Sequence, residues 1–261
     1  MKAPILVTGG TGTLGQHLVP LLRDAGCEVR VLSRRGHPTG DRIEFVTGDL
    51  VTGEGIEAAA DGAGTIVHCA GSSKGDEDLT RNLVAATSRA GTQHLVYISV
   101  VGADRVPVIS RADRAMFGYF AAKLAAERVV AGSGLPWTTL RATQFHELIL
   151  TVAQQLTRLP VIPLPVGFRV QPVAAEDVAA RLAELALGKP AGLVADMAGP
   201  RVYHVADLFR SYLQATHRHR PIVPVWLPGK AARAFRAGAN LNPEQAVGHR
   251  TWEDFLAARL S

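Results

Sequence analysis

The chain has little cysteine: Cys27 and Cys69 are the two in 261 residues. Two thiols cannot build a disulfide framework, and neither has a second thiol at metal-ligand spacing. No metal site and a reducing, cytoplasmic compartment are therefore expected. Long apolar runs are also missing. Pro160, Pro163 and Pro165 break the most hydrophobic stretch and Arg158 precedes it, so nothing reaches the roughly 18 residues of a membrane span, and no membrane partner is expected. The opening run to Val7 meets glycines before a signal-peptide core can form and reads as a first strand. There is no internal repeat, low-complexity tract or flexible linker. Glycine (26) and proline (15) are not in excess, and hydrophobic residues at 47% against charged ones at 20% exclude disorder and collagen-like architecture. One charge sign is in surplus: 28 Lys and Arg against 23 Asp and Glu, a net +5 that suits an anionic partner. The basic residues are scattered and no recognition motif accompanies them, so nucleic acid is not expected. The run His217-Arg218-His219-Arg220 reads as a solvated loop.

What the chain does have is rhythm. Short apolar runs at 5–7, 28–32, 43–46, 65–69, 94–99 and 137–141 alternate with helical patterns at 14–25, 54–60, 79–90 and 112–130. Most of the runs lack polar alternation, as strands buried on both faces do. Gly26, Gly62 and Gly91 follow helical segments as C-terminal caps. The expected fold is α/β, a doubly wound parallel Rossmann sheet with a small C-terminal substrate lobe. The NAD(P)-binding core is assigned to residues 1–145, with 170–190 returning to it. The substrate-side lobe takes 146–169 and 191–261. The lobe carries helices near 146–157, 205–216, 230–237 and 251–260, while the segment returning to the core holds a strand at 170–173 and helix 176–187 after it.

Thr8-Gly9-Gly10-Thr11-Gly12-Thr13-Leu14-Gly15 follows the first strand and opens the first helix. Glycines there let the backbone approach a pyrophosphate, and the helix N-terminus favours its charge. Gly9, Thr11, Gly12, Thr13, Leu14 and Gly15 are thus candidate dinucleotide contacts. The second strand ends Ser33-Arg34-Arg35, where an NAD-selective site carries a carboxylate. Guanidiniums pair instead with a 2′-phosphate, so NADP(H) is favoured over NAD(H). Farther along, Tyr119 and Lys123 stand at i and i+4 on one helix face. A cation beside the phenol favours the phenolate and brings proton exchange closer to neutral pH.

These pieces resemble the short-chain dehydrogenase/reductase superfamily, in particular its extended, atypical NmrA-like branch. Gly48-Asp49-Leu50, Arg81-Asn82-Leu83, Tyr97 to Gly102 and Leu135-Pro136-Trp137-Thr138 add to the likeness. The resemblance implies that Asp49 and Leu50 meet the adenine, and that Cys69, Ala70, Gly71 and Ser72 lie along the adenosine ribose. It also implies that Lys123 holds the nicotinamide ribose and that Tyr119 acts as general acid in reduction. Ser99 is the candidate active-site hydroxyl, although the position two residues on, where many members place it, is Val101. Ala142 stands where relatives often have proline. Gln144, Phe145 and His146 follow as candidate substrate contacts, and residues 104–118 are expected near the cleft as a lid. The implied protein is an NADPH-dependent reductase of a carbonyl or conjugated, hydrophobic small molecule, working as monomer or homodimer. The alternatives are a non-catalytic NADP(H)-binding redox sensor and an epimerase or dehydratase with recycled cofactor.

Overall fold

The computed structural model describes residues 3–71, 75–88 and 90–260. The chain divides into two compact units. Met1–Ser99, Ala122–Arg141 and Val178–Ala195 form the first, and Val100–Ala121, Ala142–Asp177 and Asp196–Ser261 the second.

The first unit is built on a seven-stranded parallel sheet. Through β6 the elements of the chain run β1 (Ile5–Thr8), α1 (Gly15–Asp24), β2 (Val29–Ser33), β3 (Ile43–Thr47), α2 (Ile56–Ala60), β4 (Thr65–His68), α3 (Asp76–Thr87), β5 (His94–Val100), α4 (Arg111–Ala131), of which the first unit holds the part from Ala122, and β6 (Trp137–Ala142). The strand order is β3-β2-β1-β4-β5-β6-β9, with β9 (Gly192–Leu193) parallel to β6 at the edge. This is the doubly wound order, which reverses direction between β1 and β4 and opens a crevice at their carboxyl ends. β1 and β5 are buried along their whole length, whereas β3 at the edge is half-exposed. That difference is why β1 and β5 read as continuous apolar runs. Leu6, Ile66, Leu95 and Tyr97 of the strands pack against Ile56, Leu83 and Ala126 of α2, α3 and α4. At the end of α1, Gly26 takes φ +82°, the left-handed conformation expected of a C-terminal cap.

Between β6 and the end of the chain lie α5 (His146–Leu156), β7 (Ile162–Pro165), β8 (Arg169–Val170), α6 (Ala175–Leu187), β9, β10 (Tyr203–His204), α7 (Val205–Ala215), β11 (Ile222–Val225), α8 (Lys230–Arg236) and α9 (Trp252–Leu260). In the second unit β11 pairs in parallel with β7, and β10 runs antiparallel to β8. Its packing is aromatic. Phe117, Phe168 and Phe235 meet with ring centroids 4.9–6.1 Å apart.

Three expectations need correction. The third helix starts at Asp76 rather than Leu79, because Asp76, Glu77 and Asp78 form an acidic first turn that suits the helix dipole. The strand foreseen at 170–173 is the two-residue β8 with only Val170 in common. Residues 104–118 are not one loop, since α4 already begins at Arg111. Asp113 Oδ2 accepts the Ile109 and Ser110 N–H groups while the Asp113 N–H donates to the Ser110 hydroxyl oxygen, which caps that helix.

Candidate functional site

The loop after β1 is shaped by close backbone approach. Gly9 has φ +71°, and a Cβ there would lie 2.6 Å from the Ala70 nitrogen. At Gly15 a Cβ would overlap the Gly9 carbonyl oxygen and Gly10 Cα. Only glycine permits both approaches. The Gly12 N–H donates to the Gly9 carbonyl at 3.0 Å, and Thr11, Gly12 and Thr13 are exposed just ahead of α1. Leu14 stands at the N-cap position with no side-chain cap, and no acidic residue lies in the first turn of α1. A helix start left uncompensated in this way fits a phosphate.

A hydrogen-bonded chain ties that loop to the next. Thr80 Oγ1 gives its proton to the Asp76 carbonyl at 2.7 Å, so its contact with His68 Nε2 at 3.2 Å must be one in which the imidazole donates. His68 Nδ1 is then the acceptor for the Thr8 hydroxyl at 2.7 Å, and Thr8 Oγ1 takes the Ala70 N–H at 3.4 Å. Burial, with the Lys123 charge adding to it, pushes His68 down to about 3 and keeps it neutral in this tautomer. Desolvation likewise pushes the Cys69 thiol up to about 12, so Cys69 is a small neutral residue here and not a nucleophile.

Lys123 is 4% exposed. Its Nζ lies 3.0 Å from Asp76 Oδ2 and donates to the Tyr97 hydroxyl at 3.3 Å and to the Ile98 carbonyl at 3.2 Å. A Cβ on Gly71 would come within 3.5 Å of it. Thr8 and Tyr97 stand in the glycine-loop and strand-five motifs without being singled out there, whereas Asp76, Thr80 and His68 carry no motif that marks a site in a sequence. His68 occupies an ordinary strand position, and for Asp76 the available signal was the acidic start of α3.

The other candidates are placed as follows. Ser33 closes β2, its Oγ accepting the Arg35 N–H at 3.3 Å. Arg34 and Arg35 are exposed and make no ion pair among the described residues. Asp49 is half-buried and accepts the Val51 N–H at 2.9 Å, while Leu50 packs in the core against α3 and its carbonyl accepts from Asn82 at 2.8 Å. Ser72 lies outside the described residues. Ser99 is 4% exposed, and its hydroxyl has no hydrogen-bond partner among the described residues. Tyr119 is 39% exposed, edge-on to Phe120, one turn before Lys123 on α4. Arg141 of β6 forms a bidentate pair with Glu127 of α4 at 2.7 and 2.8 Å.

In the second unit, Gln144 is half-buried with both side-chain polar atoms unpartnered among the described residues, and Phe145 precedes α5. His146 is fully buried. Its ring stacks on Phe255 at 5.0 Å and lies 6.1 Å from Trp252, and burial pushes it down to about 4. An imidazole enclosed by these rings packs the unit and is not available to touch a substrate.

The family model described as NAD(P)H-binding matches residues 9–187. Among curated proteins the chain is 32% identical over 211 residues to a ceramide reductase of Caulobacter vibrioides, covering 74% of this chain and 64% of that protein. It is 34% identical over 153 residues to a 3 beta-hydroxysteroid dehydrogenase/Delta 5-->4-isomerase of Mycobacterium tuberculosis, covering 48% of this chain and 41% of that protein. The chain thus spans less than two thirds of the length of either relative. An NADPH-dependent quinone oxidoreductase of Escherichia coli, solved with NADPH, shares the fold with a TM-score of 0.80 over 98% of this chain and all of that one, at 17% identity.

Proposed function

Because the chain belongs to the NAD(P)H-binding family, we propose that it is an NADPH-dependent oxidoreductase that reduces a carbonyl or conjugated group on a hydrophobic small molecule. The observation that carries this reading is Tyr119 one helical turn before Lys123 on α4, with the Lys123 ammonium anchored by Asp76, Tyr97 and Ile98. The names of the reductase and steroid-dehydrogenase relatives support a lipid-like substrate.

In this mechanism Thr11, Gly12, Thr13 and the start of α1 bind the pyrophosphate, and Arg34 and Arg35 pair with the 2′-phosphate. Asp49 and Leu50 border the adenine, and Cys69, Ala70 and Gly71 the adenosine ribose. A bound nicotinamide supplies the hydride. Tyr119 donates the proton to the substrate oxygen, the Lys123 charge stabilising the phenolate left behind. Lys123 would also hold the nicotinamide ribose of a bound cofactor. The Ser99 hydroxyl, unpartnered among the described residues, would donate to the developing oxyanion.

The test is NADPH consumption across quinones, long-chain ketones and conjugated enones. Tyr119→Phe is expected to lower kcat by roughly 10²–10⁴-fold with NADPH affinity unchanged. Ser33→Asp with Arg34→Ala is expected to turn preference toward NADH, and unchanged NADPH affinity in that variant refutes the 2′-phosphate assignment. A second reading is favoured by the three protein oxygens around Lys123: a cofactor-binding regulator in which that lysine serves structure. Tight NADPH binding by the wild type with no turnover on any substrate of the panel selects it.

A further inference from the structure

Two features of the second unit go beyond the catalytic reading. The first is charge. Residues 208–243 contain Arg210, Arg218, Arg220, Lys230, Arg233 and Arg236 and no aspartate or glutamate, so this one segment carries more positive charge than the net +5 of the whole chain. Arg210, Arg218 and Arg220 line an open groove of about 800 Å³ that runs to Ile222 at the start of β11.

The second feature is an apolar strand face. β7 and β11 pair with Pro163 opposite Val223. In β7 the two-residue strand period turns Ile162 and Leu164 inward, where they are buried, and leaves Val161 and Pro163 outward and exposed; along the adjoining β11 Ile222 is half-buried and Pro221, Val223 and Pro224 are exposed. Beyond the end of β11, Trp226 is 64% exposed beneath the Arg236 guanidinium, which sits 4.1 Å from the ring. An outward strand face is ordinarily polar, and a contiguous apolar one marks an interaction surface.

We propose that this face docks on an anionic lipid bilayer, with Trp226, Val161 and Val223 entering the interfacial layer and Arg218 and Arg220 meeting headgroup phosphates. Tryptophan is at home at headgroup depth, and basic residues are drawn to a negative leaflet. A peptide adding as a strand fits poorly, because Pro163, Pro165, Pro221 and Pro224 offer no N–H along β7 and β11. A second copy fits poorly as well, since a two-fold contact through this face would set like charges against each other. No spanning helix is needed, and among the described residues no helix is long and apolar enough to cross a membrane.

The experiment is flotation of the full chain with vesicles of phosphatidylcholine alone and of a roughly 3:1 mixture with phosphatidylglycerol, at low and high salt. Binding is expected on the anionic vesicles only, weakening with salt. It should fall about fivefold for each arginine removed in Arg218→Ala and Arg220→Ala, and fall again in Trp226→Ser, with far-UV circular dichroism and NADPH affinity unchanged throughout. Because cofactor affinity is read separately, failure here leaves the catalytic reading untouched. Equal partition onto neutral vesicles, no partition onto either, or binding that survives the combined arginine variant overturns the proposal. So does self-association that Trp226→Ser abolishes in the absence of vesicle binding.

Discussion

Lys123 illustrates how one residue can be legible by type and illegible by circumstance. Its spacing from Tyr119 is visible in the chain, but its ion pair with Asp76 joins positions 47 apart and its bond to Tyr97 joins positions 26 apart. Both charges are almost wholly buried, so removing either partner leaves the other uncompensated. Asp76→Ala and Lys123→Met are each expected to cost roughly 3–5 kcal/mol, and the double variant less than the sum. Urea denaturation of the three variants measures that coupling, and simple additivity would show that the pair does not act as a unit. Gly9 makes a similar case in backbone terms. Gly9→Ala must be accommodated at φ +71° against the Ala70 nitrogen, so it is expected to lose stability together with at least tenfold in NADPH affinity.

At the scale of elements, α4 carries both members of the proton-transfer pair and is pinned to β6 by Arg141 and Glu127, whose side chains are 10% and 11% exposed. Glu127→Ala strands a buried guanidinium, and an expected loss of roughly 3 kcal/mol should lower Tm by about 10 °C. The Arg141–Glu127 pair was not legible, because the partner of Arg141 lies on a helix that sequence periodicity cannot orient toward it. The parallel strands of the first unit were legible for the opposite reason: burial on both faces demands an unbroken apolar run. β7 and β11 were not legible, because four-residue strands holding two prolines and one proline respectively give no alternation to read.

For the molecule as a whole, the buried imidazoles set the response to acid. His146 and His68 charge near 6.5 in the unfolded chain but near 4 and 3 in the fold. Above about pH 6.5 both are neutral in either state and cost nothing. As the pH falls below that, the unfolded chain takes up protons that the fold refuses, and stability drops by about 1.4 kcal/mol per pH unit for each histidine. Urea midpoints should therefore fall between about pH 7.5 and pH 5, and His146→Leu should flatten that slope. An unchanged slope would show that His146 is not part of the acid response.

By itself the sequence determined the parallel sheet, the glycine loop after β1, the paired arginines after β2 and the Tyr119/Lys123 spacing. Each of these is written in neighbouring residues, where strand period, helix turn and backbone freedom act locally. The tertiary structure alone decided that His146 is enclosed by Phe255 and Trp252, that Arg141 serves Glu127, and that Asp76, Tyr97 and Lys123 share one buried site. It also decided that the outward face of β7 and β11 is apolar beside a strip of cations. Those outcomes rest on which distant side chains lose their water together, and the desolvation of a charge or a ring depends on the packed neighbours that only the completed fold supplies.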